Sequence, residues 1–316
     1  ECFRNFVNRT LALQCASPLK KFSLKCHYDH DSELAHVFPW VCNALDRGVV
    51  ELGVSIKPRW DPVPRSETGV WQLPVNIQTH GDVFLPHALF TSKTLVKLTL
   101  GTRVAFGKLP PDLSLPALKT LFIDSIFFEY EDLCYVLLPG CPVLEELYVR
   151  HKQYIGLPFC ISSRTIEKLS VQYDSDYDLD LGMSFDAPSL VFLDYSDYAL
   201  SAYPQVNLKS LIEARLDIRY SKIIKRPNIS VLFIGISNIE TLHLSANTVD
   251  GLDSYTGDET MRPFQVKVLR VHGYGGTAKE LEHLKKFIGE SECGEVVLVE
   301  AVVDDAMYCK PKGFCC

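Results

Sequence analysis

The chain has 316 residues, 47% hydrophobic and 22% charged, with a formal net charge of -7. That composition allows one large or two modest globular domains. Its negative balance gives no general affinity for nucleic acids or membranes, which are anionic. No uninterrupted apolar run approaches the roughly 20 residues a membrane helix needs.

The first residues, ECFRNFVNRT, lack the basic head and apolar core of a secretory signal, and they lack an initiator Met. The chain therefore reads as part of a longer protein. Its 11 cysteines are odd in number and irregularly spaced. Without export, that pattern implies reduced thiols in the cytoplasm or nucleus.

In chain order, Leu19/Phe22/Leu24 opens a pattern of the form L-x-x-L-x-L. SELAHVFPWVCNALDRG (32–48) follows, with Leu34, Val37, Val41 and Leu45 at helical spacing and Gly48 placed to end the helix. Pro39 predicts a kink or a late start. The pattern returns at Val49/Leu52/Val54, before IKPRWDPVPRSETG (56–69), a Pro- and Gly-containing stretch read as a mobile loop. Further copies start at Val70, Leu95 and Leu118. YEDLCYVLLPG (130–140) predicts a second helix, with Leu133, Val136 and Leu137 on one face and Pro139-Gly140 as its stop. Cys141, between Gly140 and Pro142, reads as a turn residue ahead of the copy at Leu144.

Copies at Ile166 and Leu190 follow, then a degenerate one with Glu213 in the first slot, and one at Ile239. ANTVDGLDSYTGDETMRP (246–263) reads as another mobile loop, and Val266/Leu269/Val271 is the final copy. Thr277 and Glu280 then form a T-x-x-E capping box, with Leu281, Leu284 and Ile288 on one face of the helix it opens.

Most successive starts fall in the roughly 20–29-residue range of leucine-rich repeats. The second and third apolar slots are two apart, so they share one side of a strand. One such strand cannot bury its apolar face alone, but stacked coils can. The predicted fold is α/β: an irregular leucine-rich-repeat solenoid with parallel strands on the concave face and helices and loops on the convex face. It departs from the usual pattern in having no regular asparagine after the strands.

Motifs for chemistry are weak. Cys26, His27, His30 and His36 match no common zinc spacing. DSDYDLD (174–180) begins like a calcium loop, but Leu179 and Phe185 stand where Gly and an acid are needed. HGYGGT (272–277) lacks the Lys-Ser/Thr of a phosphate-binding loop. There is no G-x-S-x-G, and no enzymatic activity, metal or cofactor is expected. KSLIEARLDIRYSKIIKRP (209–227) has six basic residues and two acids. It could meet an acidic partner or a small anion, although a solvated charged segment is the commoner outcome.

Several stretches together resemble plant F-box proteins with leucine-rich repeats and a C-terminal FBD region. They are FVNRTLALQCASPLKKFSLKC (6–26), WVCNALDRGVVELGVSI (40–56), LFTSKTLVKLTLG (89–101), LPALKTLFIDSIFF (115–128), LLPGCPVLEELYV (137–149), SFDAPSLVFLDYSDY (184–198) and NLKSLIEARLDI (207–218). VKVLRVHGYGGTAKELEHLKKFIGESECGEVVLVE (266–300) resembles the FBD segment itself. The repeat and the resemblance imply a solenoid over 1–265 and an FBD-like closing segment over 266–300; the tail 301–316 fits neither pattern and is expected to be disordered. The resemblance also implies the substrate-recognition half of an SCF-type ubiquitin ligase. No stretch here resembles the F-box, so a Skp1-type adaptor is expected only if one precedes Glu1. The alternative is an interaction scaffold without an F-box, or a truncated family member, with no ligase role; an enzyme is a distant third. The expected partner is a protein, with no nucleic acid and no membrane.

Residues between the inward leucines face the concave surface. The candidate docking strip comprises Phe122, Asp124, Glu146, Tyr148, Arg150, Phe192, Asp194, Arg215, Asp217, Arg219 and His243. Aromatic and arginine side chains are the types enriched in binding hot spots.

Overall fold

The structure is a computed structural model. It describes residues 2–13, 18–28, 35–58, 83–101, 104–105, 108–124, 132–151, 160–173, 182–221, 229–252, 266–278, 280–282, 285 and 294–300.

Eleven strands build one sheet: β1 (Lys21–Tyr28), β2 (Glu51–Pro58), β4 (Lys97–Gly101), β6 (Thr120–Asp124), β7 (Glu146–His151), β9 (Lys168–Tyr173), β11 (Phe192–Tyr198), β13 (Glu213–Arg219), β14 (Thr241–Ser245), β15 (Val268–Tyr274) and β16 (Glu295–Glu300). They lie side by side in chain order, and every neighbouring pair is parallel. This is the predicted solenoid, with each coil adding one strand. Smaller pairings decorate it: β3 (Val83–Phe84) with β5 (Val104–Ala105), and β8 (Cys160–Ser162), β10 (Ser184–Asp186) and β12 (Val206–Asn207) in a second parallel sheet. The second sheet was not foreseen, because strands of two or three residues are too short to show a period.

The inward slots align coil on coil. Leu52, Leu98, Leu121, Leu147, Leu169, Leu193, Ala214, Leu242 and Leu269 form one buried row, and the next runs from Val54 through Tyr195 to Val271. Each fully buried leucine stabilises the stack by about 1.5–3 kcal/mol. The coils also share backbone bonds at the strand entries. The N–H groups of Glu145 and Glu146 both donate to the Lys119 carbonyl, and those of Lys267 and Val268 to the Glu240 carbonyl. At the last strand the inward Val296 and Leu298 are exposed.

Three expectations need correcting. First, the copy at Val70 lies outside the described residues, and the strand that β2 pairs with is β4, Leu52 against Leu98. Second, the degenerate copy begins at Leu211, not Glu213. Glu213 pairs with Thr241, which puts Leu211, Ala214 and Leu216 in the apolar slots. Alanine in the middle slot hid that register. Third, the loop read over 246–263 begins as a helix, α5 (Ala246–Leu252). Ser245 Oγ accepts the Thr248 N–H at 3.2 Å. The buried Thr248 hydroxyl donates to the Leu216 carbonyl at 3.2 Å and accepts the Ile218 N–H at 2.7 Å.

The first coil carries α1 (Cys2–Leu13), which the sequence reading missed, and α2 (Val37–Asp46). Helix α2 starts late, as Pro39 required. Pro39 lies in its first turn, where an N–H has no helical acceptor. The helix ends at Gly48 with φ +67°; Gly48 N–H donates to the Leu45 carbonyl and Val49 N–H to that of Ala44. Trp40 Nε1 donates to Asn8 Oδ1 at 2.7 Å and fixes α1 on α2. Two further short helices are α3 (His87–Phe90) and α4 (Ser230–Gly235).

The predicted helix before Cys141 is instead a π-helical turn, Leu133–Leu137. Leu138 N–H reaches back five residues to the Leu133 carbonyl at 2.9 Å. Pro139 has no N–H with which to continue the ladder. Leu133, Cys134 and Leu137 are buried and Val136 is half-buried.

Of the FBD-like region, β15 and β16 continue the main sheet. The capping box forms as read: Thr277 N–H donates to Glu280 Oε2 at 2.8 Å, and Glu280 N–H to Thr277 Oγ1 at 3.2 Å. Gly273 and Gly276 take positive φ ahead of it. Leu281 is exposed instead of packed, and Leu284, Ile288 and the tail 301–316 lie outside the described residues.

Candidate docking surface

Odd-slot side chains form three registered rows across the concave face. The middle row passes through Thr99, Phe122, Tyr148, Ser170, Asp194, Arg215, His243 and Arg270. On its N-terminal side this row carries only small groups, Ser23, Gly53 and Thr99; Lys25, Ser55 and Gly101 stand in the row on one side of it and Lys21, Glu51 and Lys97 in the row on the other. Phe122 therefore stands as the first large side chain in its row.

A compact group surrounds it. The Phe122 and Tyr148 rings are 6.1 Å apart, and the Arg150 guanidinium lies 6.0 Å from the Phe122 centroid. Arg150 Nη2 also donates to Asp124 Oδ2 at 2.9 Å. Glu146 takes Lys168 Nζ at 2.8 Å. Burial, then Glu146, pushes the Tyr148 phenol up, so it stays a neutral hydrogen-bonding group. These residues are half-buried, each propping its neighbour. The strand repeat that fixes the leucines fixes them too.

Further along, Asp194 accepts from Ser170 Oγ at 3.0 Å, and Asp217 from Ser196 Oγ at 3.1 Å. Burial pushes the Asp194 carboxyl up, partly offset by the Ser170 bond and by Arg215. The Arg215 guanidinium lies 5.2 Å from the Phe192 ring centroid, and that of Arg219 4.6 Å from Tyr198. Arg219 Nη2 also donates to the Tyr173 carbonyl.

His243 departs from expectation. It sits in the concave row but is only 7% exposed, beneath His272 and Glu213. Burial, then Arg215, lowers its pKa to about 4, so it is neutral at physiological pH. Tyr198, Arg270 and His272 share this face and were missed. Applying the slot rule to the copy at Val266 would have found the last two.

The other candidate sites dissolve into structure. Cys141 is buried, its N–H donates to the Leu138 carbonyl, and burial pushes its thiol up to about 12. A thiol so rarely ionised is a poor nucleophile. His36 lies 3.1 Å from Arg4 Nη1, and no group of three His, Cys, Asp or Glu among the described residues could hold a metal ion. His30 and residues 174–180 are outside the described set. No helix among the described residues is long and apolar enough to cross a membrane.

Comparison with known proteins adds family information. The model for the leucine-rich repeats of the FBD-associated F-box protein At5g56370 matches residues 67–287. The F-box/LRR-repeat protein At3g60040 of Arabidopsis thaliana is 42% identical, over 95% of this chain and 74% of its own length. The F-box/LRR-repeat protein At1g06630 of the same plant is 38% identical, over 95% and 82%. For the putative F-box/LRR-repeat protein At3g42770, also from Arabidopsis, identity is 35% over 94% of this chain and 62% of the relative. No solved structure matches.

Proposed function

This chain belongs to the FBD-associated F-box/LRR-repeat family, and on that premise we propose that it is the substrate-recognition part of an SCF-type ubiquitin ligase. A protein substrate docks along the concave strip, anchored on Phe122, Tyr148 and Arg150. In this reading residues 1–265 are the receptor solenoid and 266–300 its FBD-like closing segment. A Skp1-type adaptor joins only through an F-box preceding Glu1. The module itself binds and does not catalyse, in the cytoplasm or nucleus.

One observation carries the reading. Phe122, Tyr148, Arg150 and Asp124 make a mutually braced aromatic and charged cluster in slots that the core does not use. Side chains already held in place lose little further entropy when a partner covers them.

The test is affinity capture from plant extract with the native chain and with Phe122→Ala and Tyr148→Ala. Tyr135→Ala, an exposed aromatic on the π-helical turn, is the control. A hot-spot truncation costs about 2 kcal/mol, roughly thirtyfold in affinity. Specific partners should disappear from both strip variants and remain with the control. Identical recovery from all of them overturns the strip.

A further inference from the structure

The concave face changes character at its C-terminal end. Arg215, His243 and Arg270 stand in one row on β13, β14 and β15, with His272 in the next row on β15. The His243 and His272 rings are stacked, centroids 5.3 Å apart, and His243 Nδ1 lies 3.0 Å from His272 Nε2. His243 Nε2 lies 3.3 Å from Glu213 Oε1.

A carboxylate can only accept, so this contact assigns the His243 proton to Nε2. Nδ1 must then accept from His272 Nε2–H. That leaves Nδ1 of His272 as its remaining nitrogen. The same Glu213 oxygen also accepts from Arg215 Nε and Nη2, at 3.1 and 3.0 Å. One carboxylate oxygen thus serves an arginine and a histidine together.

Arg270 is exposed and has no carboxylate partner among the described residues. Of the other charges nearby, Asp217 is held by Ser196, and Glu295 pairs in register with Val268 at the start of β16. Burial, followed by Arg215 and Arg270, lowers the His272 pKa; the same arginines act on His243. The carboxylate oxygen in contact with this group, Glu213 Oε1, already serves Arg215 and His243, while Asp194 and Asp217 on the Arg215 side are held by Ser170 and Ser196.

We infer that this end of the concave face receives an acidic segment of the docked protein, its anionic oxygens lying between Arg215 and Arg270 and beside His272. The inference rests on the docking function proposed above and names the chemistry of the partner. An incoming carboxylate or phosphate supplies the counter-charge the patch lacks. It also favours protonation of His272, whose second N–H can then donate to the ligand.

Spacing adds a constraint. From Phe122 on β6 to Arg215 on β13 is four strand steps, β7, β9, β11 and β13, and Arg270 on β15 is two steps further. At about 4.8 Å per step these distances are roughly 19 and 29 Å. An extended peptide covers them in roughly six to nine residues. The acidic group should lie that far from the residue seated on Phe122 and Tyr148.

Fluorescence anisotropy with labelled oligoglutamate, oligoglutamine and phosphoserine peptides tests the patch on the full chain. Oligoglutamate should bind and oligoglutamine should not. Arg270→Gln should weaken binding roughly tenfold, while Arg164→Gln, an exposed arginine ahead of β9, should leave it unchanged. Affinity should rise from about pH 8 to about pH 6 as bound histidine takes up a proton. Tighter binding of the phosphoserine peptide identifies phosphate as the anion, and weaker binding identifies carboxylate. Equal binding of oligoglutamine, or wild-type affinity in Arg270→Gln, overturns the inference. If that happens while capture still depends on Phe122 and Tyr148, the docking surface stands without its acid site. If oligoglutamate binds through Arg270 while capture ignores both aromatics, the acid site stands and the aromatic anchor falls.

Discussion

Tyr195→Phe is the most economical probe of how this solenoid is specified. Tyr195 occupies a third inward slot, where neighbouring coils carry Val171 and Leu216. It is fully buried. Its hydroxyl donates to Asp197 Oδ2 at 3.0 Å and lies 3.3 Å from the Tyr203 hydroxyl. Asp197, 2% exposed, also accepts the Tyr198 N–H at 2.7 Å. Phenylalanine keeps the ring and its edge-on contacts with Phe185 and Tyr203, so the change removes little but the donor. A hydrogen bond to a charged group contributes about 1.5–3 kcal/mol, and the abandoned acceptor here is buried. We expect a loss of about 2 kcal/mol. With a urea m-value near 3 kcal/mol per molar, the midpoint falls by about 0.7 M. Urea titration followed by both circular dichroism and tryptophan fluorescence checks the value, and coincident curves check that a single transition is being read. In an Asp197→Asn background the charge-assisted part is already gone, so the effect of Tyr195→Phe should shrink to about half. A single-variant loss below about 0.3 kcal/mol would refute the claim that this bond stabilises the core.

Two further perturbations follow from the same geometry. A Cβ on Gly140 would meet Leu113 Cδ2 at 2.1 Å and the Leu113 carbonyl oxygen at 2.9 Å, while the Gly140 carbonyl is itself tied to Leu115 N–H. Gly140→Ala should therefore lower stability by about 1–3 kcal/mol, read as a reduced thermal midpoint. His243 has a folded pKa of about 4, lowered chiefly by burial, against an ordinary value near 6.5. Across that interval the unfolded chain holds the proton and the folded chain does not. The contribution is therefore complete above about pH 6.5 and is lost as pH falls towards about 4. His272 acts in the same direction. Urea midpoints measured through this window should decline less steeply in His243→Gln than in the native chain.

The fold was legible because its information is periodic. Leu95, Leu98 and Leu100 recur one coil later as Leu118, Leu121 and Ile123, and the structure stacks them slot on slot. Reading failed where the slots changed size or chemistry. Ala214 fills the middle slot of its coil and shifted the apparent start from Leu211 to Glu213. Val70, Leu73 and Val75 had the right spacing but lie outside the described residues, and β2 passes its register directly to β4. Spacing alone does not record which strands become neighbours. Helix α5 was hidden because Thr248 at its start, besides its local cap from Ser245, is held by Leu216 and Ile218 of the preceding coil, which are long-range contacts in sequence.

The placement of the candidate strip on one side of the sheet was legible to the same extent as the strands that carry it. Once Leu147 and Val149 point inward, Glu146, Tyr148 and Arg150 must share the opposite side. What the pattern could not supply was how those side chains spend their hydrogen bonds. Asp194 and Asp217, placed in the strip by their slots, accept from Ser170 and Ser196 of neighbouring coils. His243 read as a partner-facing group but serves Glu213 and His272. Satisfied groups gain less from a newcomer than unsatisfied ones, since a partner must first displace what they already hold. The concave face is therefore functionally uneven despite its regular backbone. Its middle is polar but committed, while the aromatic group at Phe122 and Tyr148 offers apolar area and the end at Arg270 offers charge. A partner that recognises both must span the committed middle. Its sequence is then constrained most at two separated points, and least between them.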